Sequence, residues 1–551
     1  MEAEAAEADH RGGTEWDGSG TRAGRCVRAC MHCRGGRRYA ILSRKFENHA
    51  AMASVASNVA ARRLERVRQR GGGAAQSQSH IVFLQMAAFG HVQPIVPLIA
   101  ALCARGDTVT LFAAPGIEDD AAAAVKAAGA TVLNYRETPC DDLPQATSQR
   151  ESVVRTELCW LPALLQELAS LQPSLIVYDA FITIGPLVGT LTGVPCVGVI
   201  PHCGPGWLAS VDDGAAATAE LASASSWLAQ RYSINLLAHG SPPLGWWRNN
   251  TGLNLVLTVS ELWCPPSTDA QRRACEGLKF ECIGTLLHVA ARPLPSLATR
   301  SFPIDAVRDA KAAGRMVVYL SLGTLVTGAF WTQLPADAQG SASVQSARTG
   351  QAISHRVWSA AFEALGRASN VLLVIAVGRR DGAMRGLPPL PANCLACSLV
   401  PQLDILPLCT VFITHAGMGS VMEAILHQVP LVAIPICADQ PANADAIHRA
   451  GLGVKVRPDE LTPTALAAAV RHVGAPDSPC RRAVAAVAAR MRAEGGVSRA
   501  VALLVSAVAR GQASRVVEAR GHVTSHLGGV GAGRAALVTL MAPQPVAMVR
   551  G

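Results

Sequence analysis

The stretch "FITHAGMGSVMEAILHQVPLVAIPICADQPANADAI", from Phe412 to Ile447, decides the fold of the second half of the chain. Its pattern predicts a strand that ends at His415, a tight turn over Ala416 to Gly419, and a helix that begins at Ser420. This order exposes backbone N–H groups and the positive end of a helix dipole. It therefore favours an anionic ligand such as a diphosphate, with an ordinary turn capped by Ser420 as the alternative.

Three side chains of this stretch extend the prediction. His415 and Ser420 carry hydrogen-bonding groups that suit a diphosphate. Glu423, one turn into the helix, is itself an anion, but a carboxylate accepts two hydrogen bonds from a ribose diol in dinucleotide sites. A diphosphate and a ribose are therefore both expected here.

Short apolar runs alternate with helical segments on both sides of this stretch. From His80, "HIVFLQM" predicts a strand buried on both faces, and "PIVPLIAALCARG" predicts the helix after it. Later, "MVVYLSLG", "VLLVIAVG", "CLACSLV", "VFITH" and "PLVAIPI" predict the strands of a second unit. The predicted fold class is α/β, with two Rossmann-like doubly wound domains that face a central cleft.

Breaks in this alternation set the predicted domain boundaries. A Pro- and Ser-rich stretch indicates a linker, and small polar residues between Leu325 and Arg356 predict a flexible surface insertion. The predicted division is a disordered basic leader over 1–79, an N-terminal domain over 80–285, a linker over 286–312, a C-terminal domain over 313–475, helices over 476–512 and a tail over 513–551.

Polar residues follow several strands, and doubly wound domains bind ligands at the carboxyl ends of their strands. His91 comes directly after the first strand, where it suits a general base, with a helix-capping histidine as the alternative. Asp179 ends the strand in "PSLIVYDAF". "YLSLGT" places Ser321, Gly323 and Thr324 at another strand end, with a plain strand-to-loop turn as the alternative.

Composition excludes some classes of function. The net charge is +9 at pH 7, but residues 1–80 hold 14 Lys or Arg against 8 Asp or Glu, so the other 471 residues carry only +3. This balance gives no support to nucleic-acid binding. No run of 18 or more apolar residues is present, so a soluble protein without a transmembrane segment is predicted.

The sequence before His80 leaves its own role open. From Met52 it is rich in Ala, Ser and Arg, and Glu65 is its sole acid. This composition fits an organellar transit peptide or a disordered leader equally well. The predicted location is therefore cytoplasmic, or a plastid or mitochondrion if the leader is a transit peptide.

The sixteen cysteines are scattered along the chain and indicate free thiols in a reducing compartment. The possible metal or redox groups are Cys26, Cys30 and Cys33 beside His32, and Cys394 with Cys397. Each lacks a second ligand pair at the usual spacing, so no metal site is expected.

A wider set of residues resembles the nucleotide-sugar signature of the UDP-dependent glycosyltransferases of the GT-B fold. The set is Pro401-Gln402, His415, Gly417, Ser420, Glu423, Pro430 and Asp439-Gln440, and the "DQPANA" ending is closest to the macrolide-type members. The resemblance covers roughly residues 80 to 510. It implies a UDP-glycosyltransferase, in which the C-terminal domain binds the UDP-sugar and the N-terminal domain binds the acceptor.

The resemblance implies a role for each matching residue. Gln402 lies in the segment that leads into the base pocket, and Glu423 holds the ribose. His415 and Ser420 hold the diphosphate, while Asp439-Gln440 bonds the sugar hydroxyls. The whole donor site implied in this way is Ser321, Gly323, Thr324, Leu399, Val400, Gln402, His415, Gly417, Met418, Gly419, Ser420, Glu423, Asp439 and Gln440.

In the N-terminal domain, the same resemblance makes His91 the base and Asp179 the carboxylate that fixes its tautomer and stabilises the imidazolium. Two residues depart from the family pattern. Leu399 stands where many relatives stack an aromatic ring on uracil, and Gly419 stands where relatives usually have an Asn that bonds the diphosphate. The departures are expected to weaken donor binding by ~1–3 and ~1 kcal/mol respectively.

The expected function is the inverting transfer of a hexose from a UDP-sugar, first of all UDP-glucose, to a hydroxyl of a small lipophilic acceptor. No cofactor or metal is expected besides this co-substrate, because a helix N-terminus and hydrogen bonds can stabilise a diphosphate leaving group. Two alternatives stay open: a nucleotide-sugar epimerase or hydrolase on the same fold, and a sugar-nucleotide-binding protein without catalysis.

Overall fold

The computed structural model describes residues 78–114, 119–146, 149–210, 221–236, 248–287, 302–334, 347–493 and 495–526, except positions 87 and 144. The leader with its possible transit peptide, and the cysteines at positions 26, 30 and 33, lie outside the described residues. So does most of the predicted tail. Among the residues that the structure does describe, no helix combines the length and the apolar character needed to cross a membrane.

A seven-stranded parallel sheet forms the first half of the structure. Its strands are β1 (His80–Gln85), β2 (Thr108–Ala113), β3 (Thr131–Asn134), β4 (Leu175–Asp179), β5 (Cys196–Ile200), β6 (Leu253–Val256) and β7 (Lys279–Cys282). The strand order is β3-β2-β1-β4-β5-β6-β7, with every neighbouring pair parallel. The order reverses between β1 and β4, which is the topological switch point where such sheets bind ligands.

Helices cover both faces of this sheet. They are α1 (Phe89–Val92), α2 (Val96–Ala104), α3 (Asp119–Ala127), α4 (Gln149–Leu171), α5 (Ile184–Thr192), α6 (Ala222–Tyr232) and α7 (Asp269–Ala274). Short 3₁₀ turns lie at Gln93–Ile95, Pro205–Ser210 and Ser260–Leu262.

The second half repeats the plan with six parallel strands. They are β8 (Met316–Ser321), β9 (Val371–Ala376), β10 (Cys394–Cys397), β11 (Val411–Thr414), β12 (Leu431–Ala433) and β13 (Gly453–Lys455). Their order is β10-β9-β8-β11-β12-β13, so the switch point lies between β8 and β11. The prediction of two doubly wound α/β domains is therefore confirmed.

The remaining helices are α8 (Ile304–Ala312), α9 (Gly350–Leu365), α10 (Gln402–Ile405), α11 (Met418–Leu426), α12 (Gln440–Arg449), α13 (Pro463–Gly474), α14 (Pro479–Ala493) and α15 (Gly496–His526). A π-helical turn at Leu325–Ala329 opens the stretch that was predicted to be a surface insertion, and residues 335–346 of that stretch lie outside the described residues. Helix α8 occupies the end of the predicted linker. The exact domain boundaries stay a prediction.

The core of the first domain follows from the alternation of side chains along buried strands. All five residues of β4 are buried. Leu175 and Val177 pack with α2 on one face, while Ile176 and Tyr178 pack with α4 on the other. A parallel sheet covered on both faces needs such unbroken apolar strands, and this is why its strands could be read from the sequence.

The C-terminal helix crosses back to the first domain. Its residues Ala500, Leu504 and Val508, spaced four apart on one face, belong to the same apolar cluster as β1 and β4. At the start of the helix, Arg499 Nη2 lies 2.6 Å from Glu281 Oε2 of β7. Helix α15 therefore completes the core of the N-terminal domain.

Direct contacts also join the two halves at residues that follow the carboxyl ends of their strands. The Thr258 hydroxyl, after β6, lies 3.3 Å from the sulfur of Met418 and 3.7 Å from that of Met422, both on α11. On another side, Arg379 Nη2, after β9, lies 3.1 Å from Asp120 Oδ2 on α3. The loops at the strand ends of the first sheet are thus packed against the second domain.

Close packing of α5 on β4 yields a stability prediction. A Cβ added at Gly185 would lie 2.4 Å from the ring of Tyr178, which is fully buried. We expect Gly185→Ala to lower the free energy of unfolding by ~1–3 kcal/mol, because a packed core cannot absorb the extra methyl group. Thermal unfolding, followed by circular dichroism, measures the loss.

Gly328→Ala is the matched control, because a Cβ at Gly328 meets no atom of the described residues within 4 Å. Equal shifts in the unfolding midpoint of the two variants would contradict the proposed packing of α5 on Tyr178.

Candidate active site

The switch point of the first sheet brings His91 and Asp179 together. His91 lies in α1 just after β1, Asp179 is the last residue of the neighbouring strand β4, and His91 Nδ1 lies 2.7 Å from Asp179 Oδ2. The other carboxylate oxygen accepts the Phe181 N–H at 2.8 Å. Since a carboxylate only accepts, Nδ1 carries the proton, and Nε2 is left as the nitrogen that can receive one. This is the geometry of an oriented general base.

The charges around His91 favour its protonated form. Burial by itself lowers the pKa of the imidazole, but the charge and hydrogen bond of Asp179 and the charge of Asp439 together raise the pKa above its ordinary value of 6.5. Asp439 belongs to the other domain, at the start of α12. Carboxylates from both domains therefore raise the pKa of His91.

A third carboxyl group, which the sequence did not single out, supports the loop after Asp179. Glu157, on α4, is 4% exposed, and its Oε2 accepts the backbone N–H groups of Thr183 at 2.6 Å and Ile184 at 3.3 Å. These groups belong to the start of α5. Burial raises the pKa of Glu157 to about 8, with the nearby charge of Asp179 acting in the same direction. Glu157 thus fixes the loop in which Phe181 bonds Asp179.

Aromatic rings surround the base on one side. Phe181 contacts the His91 ring edge-on at 5.2 Å between centroids, and His202 contacts Phe181 at 5.7 Å and Trp207 at 5.4 Å. Burial, together with the charge of His91, lowers the pKa of His202 to about 3. The sequence prediction missed Phe181, His202 and Trp207, and their only signal was their place directly after β4 and β5.

The switch point of the second sheet carries His415. Its ring fits between two glycines, because a Cβ at Gly323 or Gly417 would lie 2.5 or 2.4 Å from a ring atom. Its Nδ1 is buried and has no hydrogen-bond partner among the residues that the structure describes. Burial lowers the pKa of His415 to about 4, so the ring is neutral at pH 7. An unsatisfied ring nitrogen at this strand end suits a polar ligand group.

Helix α11 differs from its prediction at one end. It begins at Met418 rather than Ser420, because Gly417 takes the extended N-cap conformation, with φ −62° and ψ 131°. No side chain caps the helix. The alternative in which Ser420 caps the turn is therefore wrong, and the first amides of the helix lack a side-chain acceptor.

A hydrogen-bond network joins the predicted ribose and base residues. Gln402 Nε2 donates to Ser420 Oγ at 3.1 Å and to Glu423, and Gln402 Oε1 accepts from the Tyr319 hydroxyl at 3.0 Å. Burial raises the pKa of Glu423 to about 7, while the bond from Gln402 lowers it. Gln402, Ser420 and Glu423 thus form one hydrogen-bonded unit.

Asp439 and Gln440 have different surroundings. The Gln440 side chain is 3% exposed, and its Oε1 accepts the N–H groups of Ile436 at 2.9 Å and Cys437 at 3.1 Å. Asp439 is less buried and accepts from Asn443 Nδ2 at 2.7 Å. In this conformation Gln440 holds its own loop, and Asp439 is the one of the two that interacts electrostatically with His91.

The other predicted donor residues lie at the same edge of the second sheet. Gly323 N–H donates to Ser321 Oγ at 3.4 Å, and Thr324 is exposed at the start of the π-helical turn. Leu399 and Val400 follow β10, and both are half-buried. A Cβ at Gly419 would meet no atom within 4 Å. Within the described part of the chain, no three His, Cys, Asp or Glu side chains are grouped to hold a metal.

Known proteins resemble this chain in sequence. Residues 363–505 match the family described as "Erythromycin biosynthesis protein CIII-like, C-terminal domain". The chain is 26% identical to the NDP-glycosyltransferase YjiC of Bacillus subtilis, over 77% of this chain and 96% of that protein. It is 25% identical to the oleandomycin glycosyltransferase of Streptomyces antibioticus, over 77% of this chain and 90% of that protein.

Solved structures share the fold. The glycosyltransferase of kitacinnamycin superposes with a TM-score of 0.58 at 24% identity, covering 78% of this chain and 99% of the other. CalG4, the calicheamicin glycosyltransferase, superposes with a TM-score of 0.55 at 24% identity, and the match covers 79% of this chain and 99% of CalG4. The resemblance inferred from the sequence is confirmed: the chain is a glycosyltransferase with a GT-B fold and an EryCIII-like C-terminal domain.

The pairing of His91 with Asp179 predicts how the site titrates. Asp179→Asn removes the larger of the two charges that oppose burial and leaves the charge of Asp439, so we expect the pKa of His91 to fall below 6.5. NMR titration of the His91 ring protons, compared between the two proteins, measures the change.

The contribution of His91 to stability should change with pH in opposite directions in the natural protein and in Asp179→Asn. In the natural protein the folded-state pKa exceeds the unfolded value, so the contribution of His91 to stability is fully present below about 6.5 and is lost as the pH rises through the folded pKa. In Asp179→Asn the same contribution should instead increase as the pH rises toward 6.5. Parallel pH profiles of the unfolding free energy would contradict the assigned interaction.

Proposed function

We propose that this glycosyltransferase inverts the anomeric carbon while it moves a hexose from a UDP-sugar to a hydroxyl group of a small lipophilic acceptor. The observation that carries the proposal is the His91–Asp179 pair, 2.7 Å apart, at the strand ends that face the C-terminal domain. UDP-glucose is the first donor to test. The free cysteines of the described residues fit a reducing compartment, cytoplasmic or organellar.

His91 is the general base in this scheme. Nε2 takes the proton of the acceptor hydroxyl as that oxygen attacks the anomeric carbon and the bond to the diphosphate breaks. Asp179 stabilises the imidazolium that forms. Attack from the side opposite the leaving group inverts the configuration, so an α-linked donor yields a β-glycoside.

The donor lies along the edge of the second sheet. The unpartnered Nδ1 of His415 and the uncapped amides of α11 receive the diphosphate, and they stabilise its charge as it leaves. Ser420 adds a hydroxyl. Glu423 holds the ribose in its ionised form, because two hydroxyl donors favour the carboxylate against the burial that raises its pKa to about 7.

The hexose occupies the space between the two domains. Asp439 accepts hydrogen bonds from its hydroxyl groups, next to the base that Asp439 also influences. Gln440 contributes mainly by holding the turn at Ile436 and Cys437. No cofactor or metal enters the scheme, since hydrogen bonds and a helix N-terminus carry the leaving-group charge.

The acceptor approaches His91 past aromatic side chains. Phe181 contacts the base directly, and Trp207, half-buried, lies 6.2 Å from Phe181 between ring centroids. Rings of this kind favour an apolar or aromatic acceptor over a highly charged one. This supports the lipophilic class and leaves the individual acceptor to the experiment.

Removal of the base tests the proposal. We expect His91→Ala to reduce transfer to alcohols by ~10²- to 10⁴-fold, because a positioned general base typically supplies that factor. UDP binding, measured by calorimetry, should persist because the donor site lies in the other domain. A nitrophenol acceptor, already ionised near neutral pH, should recover part of the rate.

The assay follows UDP release and product mass together, with UDP-glucose and a panel of phenolic, sterol and macrolide acceptors. UDP release without a glycoside would replace transfer with hydrolysis. An equal loss of rate on acidic and ordinary acceptors would remove His91 from the role of base.

A glycine substitution tests the donor site. Gly323 has φ +75°, and a Cβ there would lie 2.5 Å from the His415 ring. We expect Gly323→Ala to displace His415 and weaken UDP binding by at least ~5-fold, the loss of about one hydrogen bond. Calorimetric titration with UDP measures it.

Gly314→Ala is the matched control, because Gly314 has φ +74° and a Cβ there meets no atom within 4 Å. It carries the same backbone strain away from the cleft. If both variants lost the same UDP affinity, strain rather than His415 would explain the defect.

A further inference from the structure

Two cysteines that the transfer reaction does not use lie side by side next to the cleft. Cys203 follows β5, and Cys264 follows the 3₁₀ turn Ser260–Leu262 after β6. The Cys264 N–H donates to the Cys203 carbonyl at 2.8 Å, and both side chains belong to the same apolar cluster. Cys203 is fully buried, whereas Cys264 is half-buried. One member of the pair is therefore open to a small reagent, and the other is shielded.

A cation from the other domain contacts the more accessible thiol. Arg449, the last residue of α12, places Nη2 3.9 Å from Cys264 Sγ. The pKa of Cys264 is lowered to about 7. Its interaction with the Cys203 thiol lowers the pKa most, and Arg449 lowers it further. Burial and Asp445 oppose this shift. The thiolate, which is the reactive form, is therefore abundant at neutral pH.

We propose that Cys264 and Cys203 form an oxidation site, in which hydrogen peroxide oxidises Cys264 and Cys203 then closes a disulfide. The Cys264 thiolate attacks one peroxide oxygen, the O–O bond breaks, and a proton converts the leaving hydroxide to water. The product is a sulfenic acid. The Cys203 sulfur then attacks the Cys264 sulfur and displaces a second water, so that two thiols and one peroxide become one disulfide and two waters.

Oxidation of this pair would change contacts in both domains of the active site. Cys203 directly follows His202, whose ring packs against Phe181 beside the base. Disulfide formation also removes the thiolate that accepts from Arg449, and α12 carries Asp439 at its other end. We expect the oxidised protein to transfer sugar at least ~5-fold more slowly and to regain its rate when dithiothreitol reduces it.

The chain supplies its own control. Cys140 and Cys159 are a second pair of free thiols that pack in one apolar cluster, but burial and Cys140 raise the pKa of Cys159 to about 12. At pH 7 a far larger fraction of Cys264 than of Cys159 is thiolate, although each Cys264 thiolate is the weaker nucleophile. The first effect is the larger one, so Cys264 should react ~10²-fold faster than Cys159.

The experiment treats the reduced full chain with hydrogen peroxide and maps its disulfides by mass spectrometry of tryptic peptides. We expect a disulfide-linked Cys203–Cys264 peptide pair, two hydrogens lighter than the two reduced peptides. It should form earlier during the treatment than any linked Cys140–Cys159 pair. Cys203→Ser should stop at a sulfenic acid on Cys264 that dimedone traps, and Cys264→Ser should form neither product.

A first disulfide at Cys140–Cys159, or dimedone labelling of Cys203→Ser at cysteines other than Cys264, would overturn the proposal. Iodoacetamide labelling rates provide a second test, and a Cys264 rate no faster than that of Cys159 would also overturn it. These readouts do not depend on sugar transfer. Only the change in rate rests on the proposed function, so a protein that forms the disulfide but transfers no sugar would refute the function and leave the oxidation site standing.

Discussion

The hydrogen bond between His91 and Asp179 depends on a single constraint, the adjacency of β1 and β4 in a parallel sheet. Parallel strands end at the same edge, so residues that follow neighbouring strands meet there whatever their separation in sequence. Here 88 positions separate two atoms that lie 2.7 Å apart. Packing on both faces of β4 fixes its register against β1, and a slip of one residue would turn Asp179 to the other face.

The second sheet places a different chemistry at the equivalent edge. His415 follows β11 as His91 follows β1, but it is held between Gly323 and Gly417 with no carboxylate bonded to its ring. One fold plan therefore places a histidine paired with a carboxylate in one domain and a neutral histidine ring in the other. The contact of Thr258 with Met418 joins a loop of the first sheet to the helix that follows His415.

The strand ends could be predicted from sequence because unbroken apolar runs locate buried strands, and this placed His91, Asp179 and His415 correctly. The partners of a side chain could not be predicted when they depend on distant packing. Glu157 reaches α5 from the middle of a long helix, and Gln440 turns into its own loop rather than toward the cleft. The return of α15 to the first domain depends on contacts between residues more than two hundred positions apart, as Arg499 and Glu281 show.

Three histidines around the cleft, of which His202 is buried and His91 and His415 are half-buried, show how the surroundings of a ring set its pKa. Burial alone disfavours the charged form of each, and it brings the pKa of His202 to about 3 and that of His415 to about 4. His91 differs because Asp179 and Asp439 outweigh its burial and raise its pKa. Of the three rings, His91 alone has a pKa above its ordinary value, and the positive charge it carries when protonated disfavours protonation of His202 beside it.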